Sequence, residues 1–158
     1  MQETLILRLP AYGTNEPIPW LVWHKNQQEL IASGSLNSVD ELSQLKDKAG
    51  RCEVVVALPG QDVFMTKVTL PAGTKRHLQR IIPYALEEEL ASDIEQLHFS
   101  WPDVKGTELP VAVVAKERMD EWLKLFLEAG IDAPYWVPDC FLLPYQEDVW
   151  QAIELGDS

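Results

Sequence analysis

Apolar residues along this chain follow two rhythms, and each change of rhythm marks an element. In "TLILRLP", Thr4–Pro10, they alternate among strand-forming residues, which predicts a first β-strand. A turn containing Gly13, Asn15, Pro17 and Pro19 separates it from a second strand, "WLVWHK", Trp20–Lys25. The short connection "NQQ" leads to a third, "ELIASGSL", Glu29–Leu36. Three strands joined by short turns predict an antiparallel meander. Ser38, with Glu41 three residues on, has the pattern of a capped helix start. Leu42 and Leu45 give that helix an apolar stripe, and Gly50 is its stop signal. "CEVVVALPG", Cys52–Gly60, is a continuous apolar run, as a strand buried on both faces requires. The first unit therefore reads β-β-β-α-β.

Asp62–Pro71 reads as a strand ending at a Pro-Ala-Gly turn, and Thr74 as the cap of the next helix. The apolar positions of that helix, Leu78, Ile81, Ile82, Ala85, Leu86 and Leu90, recur at spacings of mostly three and four, so one face packs inward. Pro83 lies inside it and predicts a kink or a restart, because proline lacks the backbone donor. Leu97–Val104 and Leu109–Lys116 flank a Lys-Gly turn and read as a hairpin. "KERMDEWLKLFLEAG" is predicted as a helix with Met119, Trp122, Leu123, Phe126 and Leu127 on its inner face, stopped by Gly130. "APYWVPDCFLLP" is strand-like to Val137 and turns at Pro138, and "EDVWQAIELG" is a closing amphipathic piece. The second unit reads β-α-β-β-α-β, and the chain as a whole belongs to the α/β class.

Charge changes this picture at one place. A helix dipole favours acids at the N-terminus and bases at the C-terminus. In the helix through Pro83 the order is reversed: Lys75, Arg76 and Arg80 come first, then Glu87, Glu88, Glu89 and Asp93. No glutamate four residues ahead of a lysine or arginine offsets this. Such an order is expected where an acidic end is kept for a basic partner, whose docking complementary charge speeds and orients. The formal net charge of −12 points the same way, and argues against nucleic acid or an anionic membrane surface as the main partner.

The residues show little chemistry. His24, His77 and His98 are isolated, and Cys52 and Cys140 lack the spacing of metal ligands, so both cysteines read as buried thiols. Cys140 in "PDCF" is a candidate nucleophile by residue type only, with no partner in sequence to activate it. The turn after strand one holds one glycine, and "LPGQD" resembles a phosphate loop only superficially. Consecutive carboxylates of "EEE" point about 100° apart on a helix and do not converge on one atom. Six scattered tryptophans read as core or contact residues. No signal peptide is visible, and no apolar run reaches the roughly 18–20 residues of a membrane span, which predicts a cytoplasmic segment. The ending "LGDS" has the look of an interrupted chain, and a longer protein is expected.

"IPWLVW", "LPAG", "PYALEEELASDIEQLHF" and "VPDCFLLP" together resemble the cytoplasmic domain of protein L of bacterial type II secretion systems, over nearly the whole chain. The resemblance implies half of an actin-like fold: an RNase H-like unit over 1–65, completed by 139–158, and a smaller inserted α/β domain over 66–138. It implies a non-catalytic scaffold, the N-terminal portion of a single-pass inner-membrane protein, that recruits the secretion ATPase, protein E, through that enzyme's N-terminal domain. Protein M is a further implied partner through regions outside this chain, and so is a second copy in a homodimer. No cofactor and no metal are expected. The residues assigned to partner binding are Glu87, Glu88, Glu89, Leu90, Asp93, Ile94, Glu95 and Leu97. The alternative is an actin-like nucleotide-binding ATPase whose second half lies outside the chain.

Overall fold

A computed structural model of the protein describes residues 2–70, 77–102 and 107–142. It divides into two compact units, one formed by the chain up to Asp62 and again from Leu123 onward, the other by Val63–Trp122.

The first unit is built on a five-stranded sheet. β1 (Glu3–Arg8), β2 (Ile18–His24) and β3 (Glu29–Leu36) form the expected antiparallel meander, with Leu5 opposite Val22 and Trp20 opposite Gly34. A register shift falls between Val22 and Trp23, and Gln28 in the following turn takes a left-handed conformation. The helix predicted after Ser38 is instead a 3-10 segment, Val39–Leu45, followed by a short α1 (Lys46–Arg51). Ser38 makes no side-chain cap; the Glu41 carboxylate instead accepts from the Asn37 backbone N–H at 2.6 Å. Leu42 and Leu45 are buried, as their stripe required. β4 (Glu53–Leu58) then runs parallel to β1, and Val54, Val56, Ala57 and Leu58 are buried.

β8 (Tyr135–Pro138) corrects the expectation that this strand closes the second unit. It pairs in parallel with β4, from Val55 opposite Tyr135 to Leu58 opposite Pro138, giving the order β3-β2-β1-β4-β8. A strand buried on both faces needs a hydrogen-bonded neighbour on each edge, and β1 supplies only one. α3 (Lys116–Ala129) precedes β8 and ends at Gly130, whose positive φ suits glycine. The Gly130 N–H donates to the Leu127 carbonyl and the Ile131 N–H to that of Phe126, the paired bonds of a Schellman stop. Of the five residues assigned to the inner face of α3, Trp122 and Phe126 are buried and Met119 half-buried, whereas Leu123 and Leu127 are exposed. Phe126 meets Trp136 edge-on with ring centres 4.9 Å apart, and the Trp136 indole N–H donates to the Ala133 carbonyl.

The second unit has a three-stranded antiparallel sheet in the order β5-β7-β6, made of β5 (Phe64–Thr69), β6 (Leu97–Ser100) and β7 (Glu108–Ala115). Its core joins Val68, Leu70, Leu109, Val111 and Val113 to Leu78, Ile82 and Leu86 of α2 (Leu78–Leu86). Those three helical positions are four residues apart, which keeps them on one face. α2 runs through Pro83 without the expected restart. The Gln79 carbonyl, deprived of its helical donor, belongs to an exposed residue that water can serve. Thr74, the turns at 71–73 and 105–106, Lys75, Arg76, the closing segment 147–156 and Trp150 lie outside the described residues.

Candidate functional site

The acidic stretch does not form the continuation of one helix. α2 ends at Leu86, Glu87–Glu89 make a single 3-10 turn, and Leu90 returns to extended backbone. Ile94–Gln96 form a second 3-10 turn that leads into β6. The reason lies in the core: Leu90 and Leu97 both pack against the second unit's apolar cluster. Leu97 also opens β6, where it stands opposite Ala115 of β7, so the chain has to leave the helix between the two leucines. Two tight turns let both reach the core while the chain reverses into a strand. Charge order is corrected with it. Glu87–Glu89 do stand at the C-terminal end of α2, against its dipole, but Asp93 and Glu95 open the next turn, where acids are favourable.

All five carboxylates of the segment, Glu87, Glu88, Glu89, Asp93 and Glu95, are exposed. None forms an ion pair with a described residue. Lys116 braces the segment differently, donating from Nζ to the backbone carbonyl of Glu95 at 2.7 Å. Of the apolar members, Leu90, Ile94 and Leu97 are half-buried, and Leu90 and Leu97 are committed to the core. The fold thus brings the eight assigned residues into one segment but leaves chiefly its carboxylates free. Tyr84, 69% exposed and one turn before Glu88, is an apolar neighbour that the helical pattern did not single out.

A second cluster lies where the parallel strands end. Arg8 is the last residue of β1, Gly60 follows β4 by two, and Asp139 follows β8 directly. Asp139 accepts from the Arg8 Nε at 3.2 Å and from the Gly60 backbone N–H at 3.1 Å. Nearby in sequence, the Asp62 carboxylate accepts from the Tyr12 backbone N–H at 2.9 Å. Both carboxylates therefore serve backbone donors of loops. Reading the sequence missed the Arg8–Asp139 pair, because 131 residues separate the two and neither stands in a motif.

Among the described residues no group of three or more His, Cys, Asp or Glu side chains could hold a metal ion. His24 Nδ1 accepts from the Gln27 N–H. Cys140 is exposed, against expectation, since it lies in the 3-10 turn after β8 and outside the sheet. Cys52 is buried, with its Sγ donating to Glu3 Oε2 at 3.8 Å. Burial, and secondarily the Glu3 charge, push its thiol pKa up. The thiolate is the nucleophile, so an alkylating reagent at pH 8 is expected to modify Cys140 first and Cys52 only slowly. Mass spectrometry of the time course checks this; equal rates would contradict it.

Among the described residues no helix is long and apolar enough to cross a membrane. A family model described as "Type II secretion system (T2SS), protein L" matches residues 5–158. Type II secretion system protein L of Vibrio cholerae is 37% identical over 162 residues, covering 100% of this chain and 39% of the relative. The same-named protein of Dickeya chrysanthemi is 35% identical, covering 96% of this chain and 38% of the relative. The chain thus spans well under half the length of these relatives. Among solved structures, the cytoplasmic domain of EpsL, an inner-membrane component of the V. cholerae type II secretion system, superposes with a TM-score of 0.80. It is 34% identical, with 92% of this chain and 60% of that chain covered. The PilM–PilN type IV pilus biogenesis complex shares the fold at a TM-score of 0.68 and 18% identity, over 87% of this chain and 48% of that one.

Proposed function

Since the chain belongs to the type II secretion system protein L family, we propose that it is a non-catalytic scaffold that docks the secretion ATPase, protein E, by that enzyme's N-terminal domain. It does so at the cytoplasmic face of the bacterial inner membrane. Protein M and a second copy of the chain are further partners, the former through regions outside this chain. In this reading the first unit is RNase H-like, the second is a smaller domain inserted into it, and the two make up half of an actin-like arrangement.

The observation that carries the docking role is the exposed acidic segment: five carboxylates between Glu87 and Glu95, none neutralised by a described base. Three of them oppose the α2 dipole, an unfavourable placement that a basic partner would reverse. Titration of the ATPase N-terminal domain into the wild-type chain is expected to give binding that weakens with added salt. Replacing Glu88 and Glu89 by lysine is expected to weaken it about tenfold at low salt, an effect of the size seen for charge pairs across interfaces. Unchanged affinity in that variant would move the interface elsewhere. The alternative of a nucleotide-dependent ATPase completed by a second half calls for micromolar Mg-ATP binding and turnover by the complete cytoplasmic region, measured by calorimetry and phosphate release.

A further inference from the structure

A sheet with parallel strands is stable when both of its faces are covered. In the five-stranded sheet the helices of its own unit cover one face only. Lys48 of α1 reaches over the ring of Trp20, and Phe126 of α3 packs on Trp136. Trp20 stands opposite Leu7, Leu7 opposite Val56, and Val56 opposite Trp136, so both helices lie on the same side. Leu5, Leu7, Val22, Val54 and Val56 of that side are buried.

The other face remains apolar without such a cover. Leu21, Ile6, Val55 and Tyr135 stand side by side across β2, β1, β4 and β8. The first three are half-buried and Tyr135 is exposed. Trp23 and Leu30, a facing pair on β2 and β3, are exposed too. A sheet face that water is meant to wet carries polar residues at these positions, and this one does not. Thr4 is an independent sign. It stands opposite Trp23 on this face, is only 8% exposed, and its hydroxyl has no hydrogen-bond partner among the described residues. Buried hydroxyls in native proteins are satisfied in the large majority of cases. The face therefore lacks both an apolar cover and a polar group.

We propose that this face seats one amphipathic helix from the part of the cytoplasmic region outside this chain, its apolar stripe on Leu21, Ile6, Val55 and Val137 and a polar side chain meeting Thr4. The inference rests on reading the chain as half of a two-part arrangement. Four strands about 4.8 Å apart present a row roughly 14 Å wide, and a helix with its side chains is about 10–12 Å across, so one helix covers it. The solved cytoplasmic domain that superposes on this chain is covered over 60% of its length, which leaves ample chain to supply that helix. A second copy of this chain is disfavoured as the occupant, because a charge of −12 on each sets the copies against one another. A tethered helix meets no such barrier and acts at high effective concentration.

The test compares methyl NMR of the 158-residue chain with that of the complete cytoplasmic region, each with a neutral gadolinium chelate that broadens exposed methyls. In the 158-residue chain Leu21, Ile6 and Val55 are expected to broaden, while Leu5, Leu7 and Val54 stay sharp. In the complete region all six are expected to stay sharp. Leu21→Gln is expected to lower the melting temperature of the complete region more than that of the 158-residue chain, since only there does Leu21 meet an apolar partner. Broadening of Leu21, Ile6 and Val55 in the complete region overturns the proposal. So does their protection in the 158-residue chain, as a monomer or as a dimer seen by light scattering, and so do equal losses of melting temperature. The two kinds of failure are distinguishable. A second part that moves no resonance of the 158-residue chain sinks the two-part reading, whereas shifts confined to other residues sink only the helix seat.

Discussion

Truncating Ile82 to alanine is expected to destabilise the second unit by about 2–5 kcal/mol, the range for deleting a buried branched side chain that leaves a cavity. Ile82 has no solvent exposure and sits between Leu78 and Leu86 against Val68, Leu70, Leu109, Val111 and Val113. All of these but Leu70, which follows β5 directly, are held by the sheet or by the helix, so the site has little freedom to collapse. Total stabilities of domains run to only about 5–15 kcal/mol, so the loss is a large fraction of what holds this unit together. Urea unfolding followed by tryptophan fluorescence gives the size of the effect. Amide exchange at Val111 and Val113 on β7, compared with Val54 and Val56 on β4, shows whether it is confined to the second unit. The neighbouring Ile81→Ala is the control, since Ile81 is only half-buried and its loss removes less contact. Equal effects of the two variants would mean that α2 does not face the sheet as described.

Gly34→Val is expected to be destabilising by about 1–3 kcal/mol, the usual penalty for overpacking. The sign is the informative part. On propensity alone valine should help a strand, by up to about 1 kcal/mol relative to poor strand formers such as glycine. Here Gly34 stands opposite Trp20, and a Cβ would lie 2.7 Å from the indole Cζ2 and 2.9 Å from Cε2. Those are ring atoms, which cannot bend aside as the tip of a flexible chain does. Displacing the ring would also disturb its contact with Lys48, whose Nζ lies 5.3 Å from the ring centre. Sterics therefore outweigh propensity. Urea midpoints of Gly34→Ala and Gly34→Val check this, with alanine intermediate; a valine variant more stable than wild type would show that Trp20 swings away freely.

Wherever a structural cue is contained within a few neighbouring residues, the chain could be read directly. The meander of β1 to β3, the doubly buried β4, the inward face of α2 through Leu78, Ile82 and Leu86, and the stop at Gly130 rest on periods of two or about four, on one continuous apolar run, or on one backbone conformation. The acidity of residues 87–95 was equally plain, and so was the family likeness carried by whole motifs. Failures came where distant segments compete. Leu97–Ser100 pair with β7, and that long-range pairing ends the helix that the local pattern would have prolonged. β8 joins β4 because an interior strand needs two partners, a requirement of the sheet with no mark in "YWVP" itself. Leu123 and Leu127 look like core on a helical wheel, yet nothing among the described residues covers them fully. Arg8 and Asp139 meet only once three parallel strands have been laid side by side. Short-range periodicity is written residue by residue, whereas parallel pairing and cross-chain ion pairs depend on which surfaces remain after the rest has packed, and folding alone decides that.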